Sequence, residues 1–199
     1  MTLQLKGGLV LGKWKLGKPL GSGGQGEVWE ARPVSGAPGP PRALKVCLAT
    51  EARQRDRFTR EVGLLRGLPT NGHVIPIIDA EVEWTEEPKT KLAYSFYVTE
   101  RFESSLLGLR WIQRAPLHVL TLFLELCDAV EFLHTQSPAL IHRDIKPSNI
   151  FLGSEPYRLA LGDLGIAFEQ GNQDDLTATH EVVGSRHYRA PETLMGGKG

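Results

Sequence analysis

The spacing of apolar residues in the first half of the chain predicts strands with one helix among them. Polar and apolar residues alternate over Glu27–Ala31, which is the pattern of a half-buried strand, and a further strand is predicted over Arg42–Leu48. The proline-rich stretch 33–41 between them predicts a loop, because proline cannot donate a backbone hydrogen bond to a sheet. Apolar residues at helical spacing then predict a helix that ends near Gly67, and its buried stripe consists of Phe58, Val62 and Leu65.

Two further strands are predicted over 73–84 and 92–100, on either side of a charged turn. Beyond them, the second half of the chain is predicted to be mainly helical. From 117 to 135 apolar residues occupy most faces of the segment, which predicts a helix buried on several sides. We therefore expect an α+β chain in which a strand-rich region over 1–102 precedes a helix-rich region over 103–199.

Composition and charge narrow the class of protein. The chain has 199 residues and 41% of them are hydrophobic, enough to form a packed core. Its net charge of zero argues against a nucleic-acid-binding arm, so we expect no nucleic-acid partner. Cys47 and Cys127 form no CxxC pair, which favours a reducing compartment. With no apolar run of about 18 residues and no secretory signal, we expect a cytoplasmic segment without a membrane span.

A glycine-rich segment is the first candidate for binding chemistry. Gly21, Gly23 and Gly26 form a G-x-G-x-x-G pattern between two predicted strands. Because glycine lacks a Cβ, such a backbone can bring its N–H groups close to phosphate oxygens. The pattern alone also fits a flexible hairpin tip. It does not fit a dinucleotide-binding motif, which would continue into a helix.

Lys45 is the second candidate, and its local sequence allows two interpretations. Alternation places it on the same strand face as Ala43. It could be a strand lysine whose ammonium reaches solvent, or a cation for phosphate oxygens held by a carboxylate of the following helix. Glu61 lies near the inward stripe of that helix, where a carboxylate is costly unless it is paired.

Polar chemistry concentrates in the segment 141–152, between two apolar stretches. The segment reads Ile-His-Arg-Asp-Ile-Lys-Pro-Ser-Asn-Ile-Phe-Leu, and an ordinary polar turn would not need these ionisable groups together. Asp163 adds a second carboxylate at the end of a later strand. Phosphoryl transfer requires one Asp to orient a hydroxyl, and an Asn with another Asp to bind Mg²⁺.

Together these motifs resemble the eukaryotic-type (Hanks-type) serine/threonine protein kinase family. The resemblance covers about Trp14 to Glu192. The motifs stand in the family's order: Gly21-x-Gly23-x-x-Gly26-x-Val28, Arg42-Ala43-Leu44-Lys45, helix Glu61, His142-Arg143-Asp144-x-Lys146-x-x-Asn149, Asp163-Leu164-Gly165 and Ala190-Pro191-Glu192. Leu164 departs from the family's usual phenylalanine but remains apolar. The resemblance implies a bilobal kinase-like fold, with a strand-rich N-lobe containing one main helix, a hinge at about 99–103, and an incomplete helical C-lobe.

The resemblance also implies a reaction, the transfer of the ATP γ-phosphoryl group to Ser or Thr hydroxyls of a protein substrate. Asp144 would position the hydroxyl and take its proton, and Lys146 would stabilise the transferring group. Asn149 and Asp163 would bind Mg²⁺. A second kinase chain is a further candidate partner.

For the nucleotide, the resemblance implies that Lys45 holds the α- and β-phosphates while it pairs with Glu61. The remaining ATP-binding positions are those of the glycine loop, the adenine pocket and the hinge: Leu20, Gly21, Ser22, Gly23, Gly24, Gln25, Gly26, Val28, Ala43, Thr99, Glu100, Phe102 and Phe151. Among them, three side chains would sandwich the adenine, namely Val28, Ala43 and Phe151. Thr99 would stand behind the pocket, and the backbone of Glu100 and Phe102 would bond the adenine edge.

The resemblance also implies how the protein is regulated and how much of the kinase domain the chain contains. Arg143 resembles the family's arginine that pairs with a phosphate on the activation segment, for which Thr177 and Thr179 are the nearest candidates, although both could simply be loop threonines. The spacing of these threonines resembles bacterial members. Because the family continues beyond the Ala-Pro-Glu motif, we expect a truncated domain, in which the helix over 117–135 lacks part of its covering.

Two alternatives to a protein kinase stay open from the sequence. A non-catalytic nucleotide-binding or scaffolding kinase fragment would fit the expected truncation, although every catalytic position is present. A small-molecule phosphotransferase of similar fold is less favoured, because Lys146 and the Ala-Pro-Glu motif speak for a protein kinase.

Overall fold

The computed structural model describes residues 5–23, 26–36, 38–48, 51–86, 93–108, 116–153, 158–165, 167–169, 186–188 and 191. The α-helices in this part of the chain are α1 (Ala52–Gly67) and α2 (Pro116–His134), and short 3₁₀-helices lie at Leu106–Gly108, Pro147–Asn149 and Arg186–Tyr188. The strands are β1 (Val10–Leu11), β2 (Trp14–Gly23), β3 (Gly26–Pro33), β4 (Arg42–Leu48), β5 (Ile77–Glu86), β6 (Ala93–Glu100), β7 (Ser104–Ser105), β8 (Leu140–Ile141), β9 (Ile150–Leu152), β10 (Leu159–Leu161) and β11 (Phe168–Glu169). The expected α+β character is confirmed.

The chain divides into two compact units. The first contains Met1–Leu68 and Pro76–Arg101, and the second contains Pro69–Ile75 and Phe102–Gly199. The short segment Pro69–Ile75 thus groups with the second unit although it precedes β5 in the chain.

The first unit is built on a six-stranded sheet in the order β1-β2-β3-β4-β6-β5. Since side chains alternate across a strand, β1, β2, β3, β4 and β6 each place apolar side chains on one shared face of the sheet. That face forms the core of the unit, which consists of Leu5, Leu11, Trp14, Leu16, Trp29, Ala31, Leu44, Val46, Phe96 and Val98.

The opposite face of β4 and β6 carries a different set of side chains and packs against α1. Register pairs Lys45 with Tyr97 and Ala43 with Thr99 across the two strands, so these residues share that face. The buried residues of α1 are Phe58, Glu61, Val62 and Leu65, which include the apolar stripe that its spacing predicted. The helix therefore buries one carboxylate together with its apolar residues.

Polar contacts join the start of β2 to β5 within the same unit. The Trp14 indole Nε1 donates to Asp79 Oδ2 at 2.6 Å, and Lys13 Nζ lies 3.3 Å from the same oxygen. Burial acts to raise the pKa of Asp79, but the hydrogen bonds from Trp14 and Lys13 outweigh it and hold that pKa below its ordinary value.

The second unit contains α2 and several short antiparallel pairings. β9 lies between β10 and β7, while β8 pairs with β11. The segment before β5 joins this unit through backbone hydrogen bonds, because Ile75 N–H donates to Leu161 O at 2.9 Å and Leu161 N–H donates to His73 O at 2.8 Å. The expectation of one strand over 73–84 is therefore wrong at its start, since His73–Ile75 pairs with β10 and β5 begins at Ile77.

Helix α2 has one buried row and one exposed row of apolar side chains. Leu122, Ala129 and Leu133 are buried, whereas Leu117 is 75% exposed and Phe123 is 59% exposed. The expectation that α2 is buried on several sides is wrong, because the described part of its unit covers a single stripe. None of the described helices combines the length and apolar character that crossing a bilayer requires.

Candidate functional site

Lys45 and Glu61 form a close ion pair inside the first unit. Lys45 Nζ lies 3.0 Å from Oε1 and 2.9 Å from Oε2 of Glu61. The Lys45 side chain is 13% exposed and that of Glu61 is 2% exposed, so water screens the pair weakly. Of the two interpretations of Lys45 that the sequence allows, the structure agrees with the one in which a carboxylate of the following helix holds the lysine.

Tyr97 is a third member of this cluster, and the sequence reasoning missed it. Its hydroxyl donates to Glu61 Oε1 at 2.8 Å, and Lys45 Nζ lies 5.4 Å from the centroid of its ring. Alternation along β6 could have placed Tyr97 on one face with Thr99. Only the register between β4 and β6 sets it directly opposite Lys45.

The glycine-rich segment forms the hairpin between β2 and β3, with Gly21 opposite Val28 and Ser22 opposite Glu27. Gly26 has a φ of 128°, and a Cβ there would overlap the carbonyl oxygen of Val46. A Cβ on Gly21 would meet nothing within 4 Å. Thus the sheet itself requires glycine at 26, whereas at 21 the fold leaves room for a side chain.

The other nucleotide positions of the first unit lie on or beside the same strands. Leu20 is 39% exposed and falls where the register between β2 and β3 shifts. Gly23 pairs with Gly26 at the end of the hairpin. Thr99 is buried, and its hydroxyl donates to the carbonyl oxygen of Glu100 at 3.1 Å. Ala43 lies directly across from Thr99.

In the second unit, the two aromatic residues of the predicted adenine contacts lie close together. The ring centroids of Phe102 and Phe151 are 6.1 Å apart and the rings are tilted by 54°. Phe151 lies in β9 and is partly exposed. Its ring also borders Gly162, where an added Cβ would lie 2.9 Å from the Phe151 ring and 2.7 Å from Ile75 Cδ1.

The predicted catalytic residues converge on the carboxylate of Asp144. Lys146 Nζ lies 2.6 Å from Asp144 Oδ2, and Asn149 Nδ2 donates to the same oxygen at 3.1 Å and to the Asp144 backbone oxygen at 2.9 Å. Asp144 is 8% exposed and Asn149 is 5% exposed. Charge-assisted hydrogen bonds of this kind hold a carboxylate in one orientation.

His142 connects this loop to the segment that carries Asp163. Its Nδ1 accepts from the Asp144 N–H at 3.3 Å, so the proton resides on Nε2, which lies 3.1 Å from the carbonyl oxygen of Gly162. Burial lowers the pKa of His142, while the Gly162 carbonyl and the carboxylates of Asp163 and Asp144 oppose that shift. The imidazole is therefore a neutral structural link, and both carboxylates lie near it.

Asp163 is brought to the loop that carries Asp144 and Asn149 by backbone contacts. The Gly162 N–H donates to the carbonyl oxygen of Asn149 at 3.0 Å. Asp163 and Arg143 both adopt left-handed backbone conformations, with φ of 66° and 64°. Non-glycine residues held in this region cost about 1–3 kcal/mol each and cluster at functional sites. The strain thus marks the two turns that present Asp144 and Asp163.

The residues around Asp163 suit a divalent cation that also binds phosphate. Asn149 uses its amide nitrogen on Asp144, and its Oδ1 and the Asp163 carboxylate are oxygen donors of the type that Mg²⁺ prefers. Among the described residues, no group of three or more His, Cys, Asp or Glu side chains forms a metal cage. Asn149 and Asp163 could together supply the one or two protein ligands of a divalent cation that also binds substrate phosphates.

Several predicted positions lie outside the described residues: Gly24, Gln25, Thr177 and Thr179. Arg143, the predicted partner of a phosphate on those threonines, is described and is partly exposed.

Comparison with known proteins shows which protein family the chain matches. Residues 14–199 match the protein kinase domain. Serine/threonine-protein kinase PknJ of Mycobacterium tuberculosis is 32% identical over 206 residues, covering 98% of this chain and 32% of the relative. Serine/threonine-protein kinase PknF of the same species is 34% identical over 192 residues, covering 90% of this chain and 37% of the relative.

A plant relative shows the same likeness over a shorter stretch. Cell division control protein 2 homolog D of Antirrhinum majus is 33% identical over 140 residues, which covers 69% of this chain and 44% of the relative. This chain thus spans less than half the length of each of these relatives. The match over residues 14–199, together with the bacterial serine/threonine kinase relatives, shows that the chain belongs to the protein kinase domain family.

Proposed function

We propose that the protein transfers the γ-phosphoryl group of ATP to serine or threonine hydroxyls of a protein substrate. The observation that carries this proposal is the buried Asp144 carboxylate, which Lys146 and Asn149 hold at 2.6 and 3.1 Å. A carboxylate held next to a cation and near a second carboxylate suits a hydroxyl nucleophile and an anionic electrophile.

In the proposed reaction, the hydroxyl oxygen of the substrate attacks the γ-phosphorus while its proton passes to Asp144. The bond between the γ-phosphorus and the bridging oxygen breaks, and ADP leaves with that electron pair. Lys146, which contacts Asp144 Oδ2, would stabilise negative charge on the transferring group. General base catalysis of this kind contributes a factor of about 10²–10⁴ in rate.

Asn149 and Asp163 would hold Mg²⁺, which neutralises phosphate charge when it is bound. Lys45, kept in place by Glu61, would bind the α- and β-phosphates. The backbone of the hairpin over 20–26 would cover the phosphates, and its open position at Gly21 is compatible with close approach of a ligand.

The adenine contacts follow the same assignment, residue by residue. Val28, Ala43 and Phe151 would contact its faces, and the backbone of Glu100 and Phe102 would bond its edge. We assign 1–102 as the N-lobe with a hinge at about 99–103, and 103–199 as a C-lobe segment. The likeness of Arg143 to the family's phosphate-binding arginine supports regulation by phosphorylation of Thr177 or Thr179.

Protein substrates follow from kinase identity, and a second kinase chain is a further proposed partner. Cys47 and Cys127 carry free thiols, which suits a reducing, cytoplasmic location.

The test is transfer of labelled phosphate from ATP to casein by the intact chain, in the presence of Mg²⁺. Asp144→Asn is expected to lower the rate by a factor of about 10²–10⁴. The matched control is Asp128→Asn, the same change at an exposed position of α2, which should leave the rate unchanged. Full activity of Asp144→Asn, or ATP binding without any transfer by the wild-type chain, would contradict the proposal. The second result would instead indicate a nucleotide-binding scaffold.

A further inference from the structure

The buried carboxylate of Glu61 is held from two directions. Lys45 approaches both of its oxygens from β4, and the Tyr97 hydroxyl donates to Oε1 from β6 at 2.8 Å. Glu61 itself is 1% exposed. We propose that Tyr97 is a positioning residue of the nucleotide site, which fixes the Glu61 carboxylate and through it the Lys45 ammonium. This inference rests on the proposed function, in which Lys45 binds phosphates.

The position of Tyr97 follows from the register of the sheet. Lys45 and Tyr97 are direct partners across the antiparallel pair of β4 and β6. Side chains of such partners lie about 4.5–5.5 Å apart at Cβ on the same face, close enough for both to reach one acceptor. The ammonium of Lys45 also lies 5.4 Å from the centroid of the Tyr97 ring, within the range of a cation–π interaction.

The tyrosine ring has little freedom to move its hydroxyl away from Glu61. Tyr97 is 7% exposed, and its ring stacks on Phe58 with centroids 5.5 Å apart and an interplanar angle of 29°. Phe58 and Glu61 lie three positions apart on α1, so they are neighbours on one helix face. Tyr97 therefore contacts α1 twice, through its ring at Phe58 and through its hydroxyl at Glu61.

These contacts explain what a neutral donor adds to the ion pair. A carboxylate bonded only to a flexible lysine can rotate with that side chain, whereas a second donor from a rigid ring fixes its plane. Because the tyrosine hydroxyl carries no charge, it adds no second cation to compete for the carboxylate. The ammonium of Lys45 is thus kept in one place before a nucleotide binds, which lowers the ordering cost of binding.

The experiment compares Tyr97→Phe with the wild-type chain. Phenylalanine keeps the buried ring and the stack on Phe58 but removes the donor. We expect the KM for ATP to rise about tenfold, the size expected for a lost hydrogen bond to a charged group. The kcat should change by less than about threefold, because a phosphate contact made equally in the ground and transition states affects KM alone.

Two controls separate positioning from general packing. Tyr94→Phe makes the same change on the same strand, where the half-buried Tyr94 packs against the core on the other face of the sheet, and it should leave the KM unchanged. In a Glu61→Gln background, adding Tyr97→Phe should change the KM by less than about twofold, because the charged acceptor is already absent. If the effects of Glu61→Gln and Tyr97→Phe on the KM for ATP are additive in free energy, the inference is wrong.

A second readout keeps this inference distinct from the proposed function. Without nucleotide, the α1 amides around Glu61 should exchange hydrogen faster in Tyr97→Phe than in Tyr94→Phe. If the wild-type chain transfers phosphate but Tyr97→Phe matches it in KM and in exchange, the positioning role is wrong and the kinase proposal stands. If the wild-type chain transfers none, yet Tyr97→Phe weakens ATP binding by calorimetry and speeds exchange, the transfer proposal fails and the positioning role stands.

Discussion

Gly26 and Gly21 belong to one hairpin, but the absence of a side chain matters for different reasons at the two positions. Gly26 has a φ of 128°, and its added Cβ would overlap the Val46 oxygen and lie 3.0 Å from the Val46 carbonyl carbon. A Cβ on Gly21 would meet nothing within 4 Å, and its φ is not left-handed. We therefore predict that Gly26→Ala damages the fold, whereas Gly21→Ala acts on nucleotide binding.

The expected magnitudes differ widely. Alanine at Gly26 would occupy a backbone conformation that costs about 1–3 kcal/mol, and relieving its overlap with β4 would cost about 1–3 kcal/mol more. A total of about 2–6 kcal/mol is a large fraction of the roughly 5–15 kcal/mol that stabilises a typical domain. Gly21→Ala places a methyl group in open space, so its effect on stability should stay within about 0.5 kcal/mol.

Urea unfolding measured by circular dichroism, together with calorimetric titration of ATP, separates the two variants. Gly26→Ala should lower the midpoint of unfolding strongly, and Gly21→Ala should keep the wild-type midpoint while binding ATP more weakly. A wild-type midpoint for Gly26→Ala would refute the steric reasoning. An unchanged ATP affinity for Gly21→Ala would refute close approach of the ligand at that position.

Three further predictions test the site and the surface. Burial lowers the pKa of His142, so the unfolded chain binds its proton more readily. The contribution of neutral His142 to the free energy of unfolding is therefore complete above the unfolded pKa of about 6.5, and it declines below that pH by up to about 1.4 kcal/mol per pH unit. In urea titrations from pH 5 to 8, His142→Gln should show a smaller decline than the wild-type chain. Lys45→Met should weaken ATP binding at least tenfold in calorimetric titration. Because it leaves the buried Glu61 without that cation, it should also lower the free energy of unfolding in urea by about 3–5 kcal/mol. The exposed apolar side chains of α2 form a surface through which chains could associate, and Phe123 is 59% exposed there. Phe123→Lys should reduce self-association in sedimentation velocity while it changes the free energy of unfolding by less than about 0.5 kcal/mol. Unchanged sedimentation would count against association through this surface.

Much of the local chemistry could be predicted from the sequence. Alternation placed Lys45 with Ala43, and helical spacing placed Glu61 near the inward stripe of α1, so the local sequence was enough to propose their pairing. The cluster of Asp144, Lys146 and Asn149 was recognisable because its members lie within one short segment. Such features depend on residues a few positions apart, whose relative placement the backbone geometry largely dictates.

The features that the sequence left undetermined all depend on contacts between distant segments. Nothing near Tyr97 indicates that it opposes Lys45, since strand register depends on how the whole sheet assembles. The pairing of His73–Ile75 with Leu161 moved a segment of the first half into the second unit, and local propensity carries no signal for such a pairing. The periodicity of α2 likewise shows that its faces are apolar, but which of them is buried depends on what the rest of the unit packs against it. Sequence thus determined the kind of chemistry and the local elements, and tertiary structure decided which side chains meet, because contact between distant segments is a property of the assembled fold.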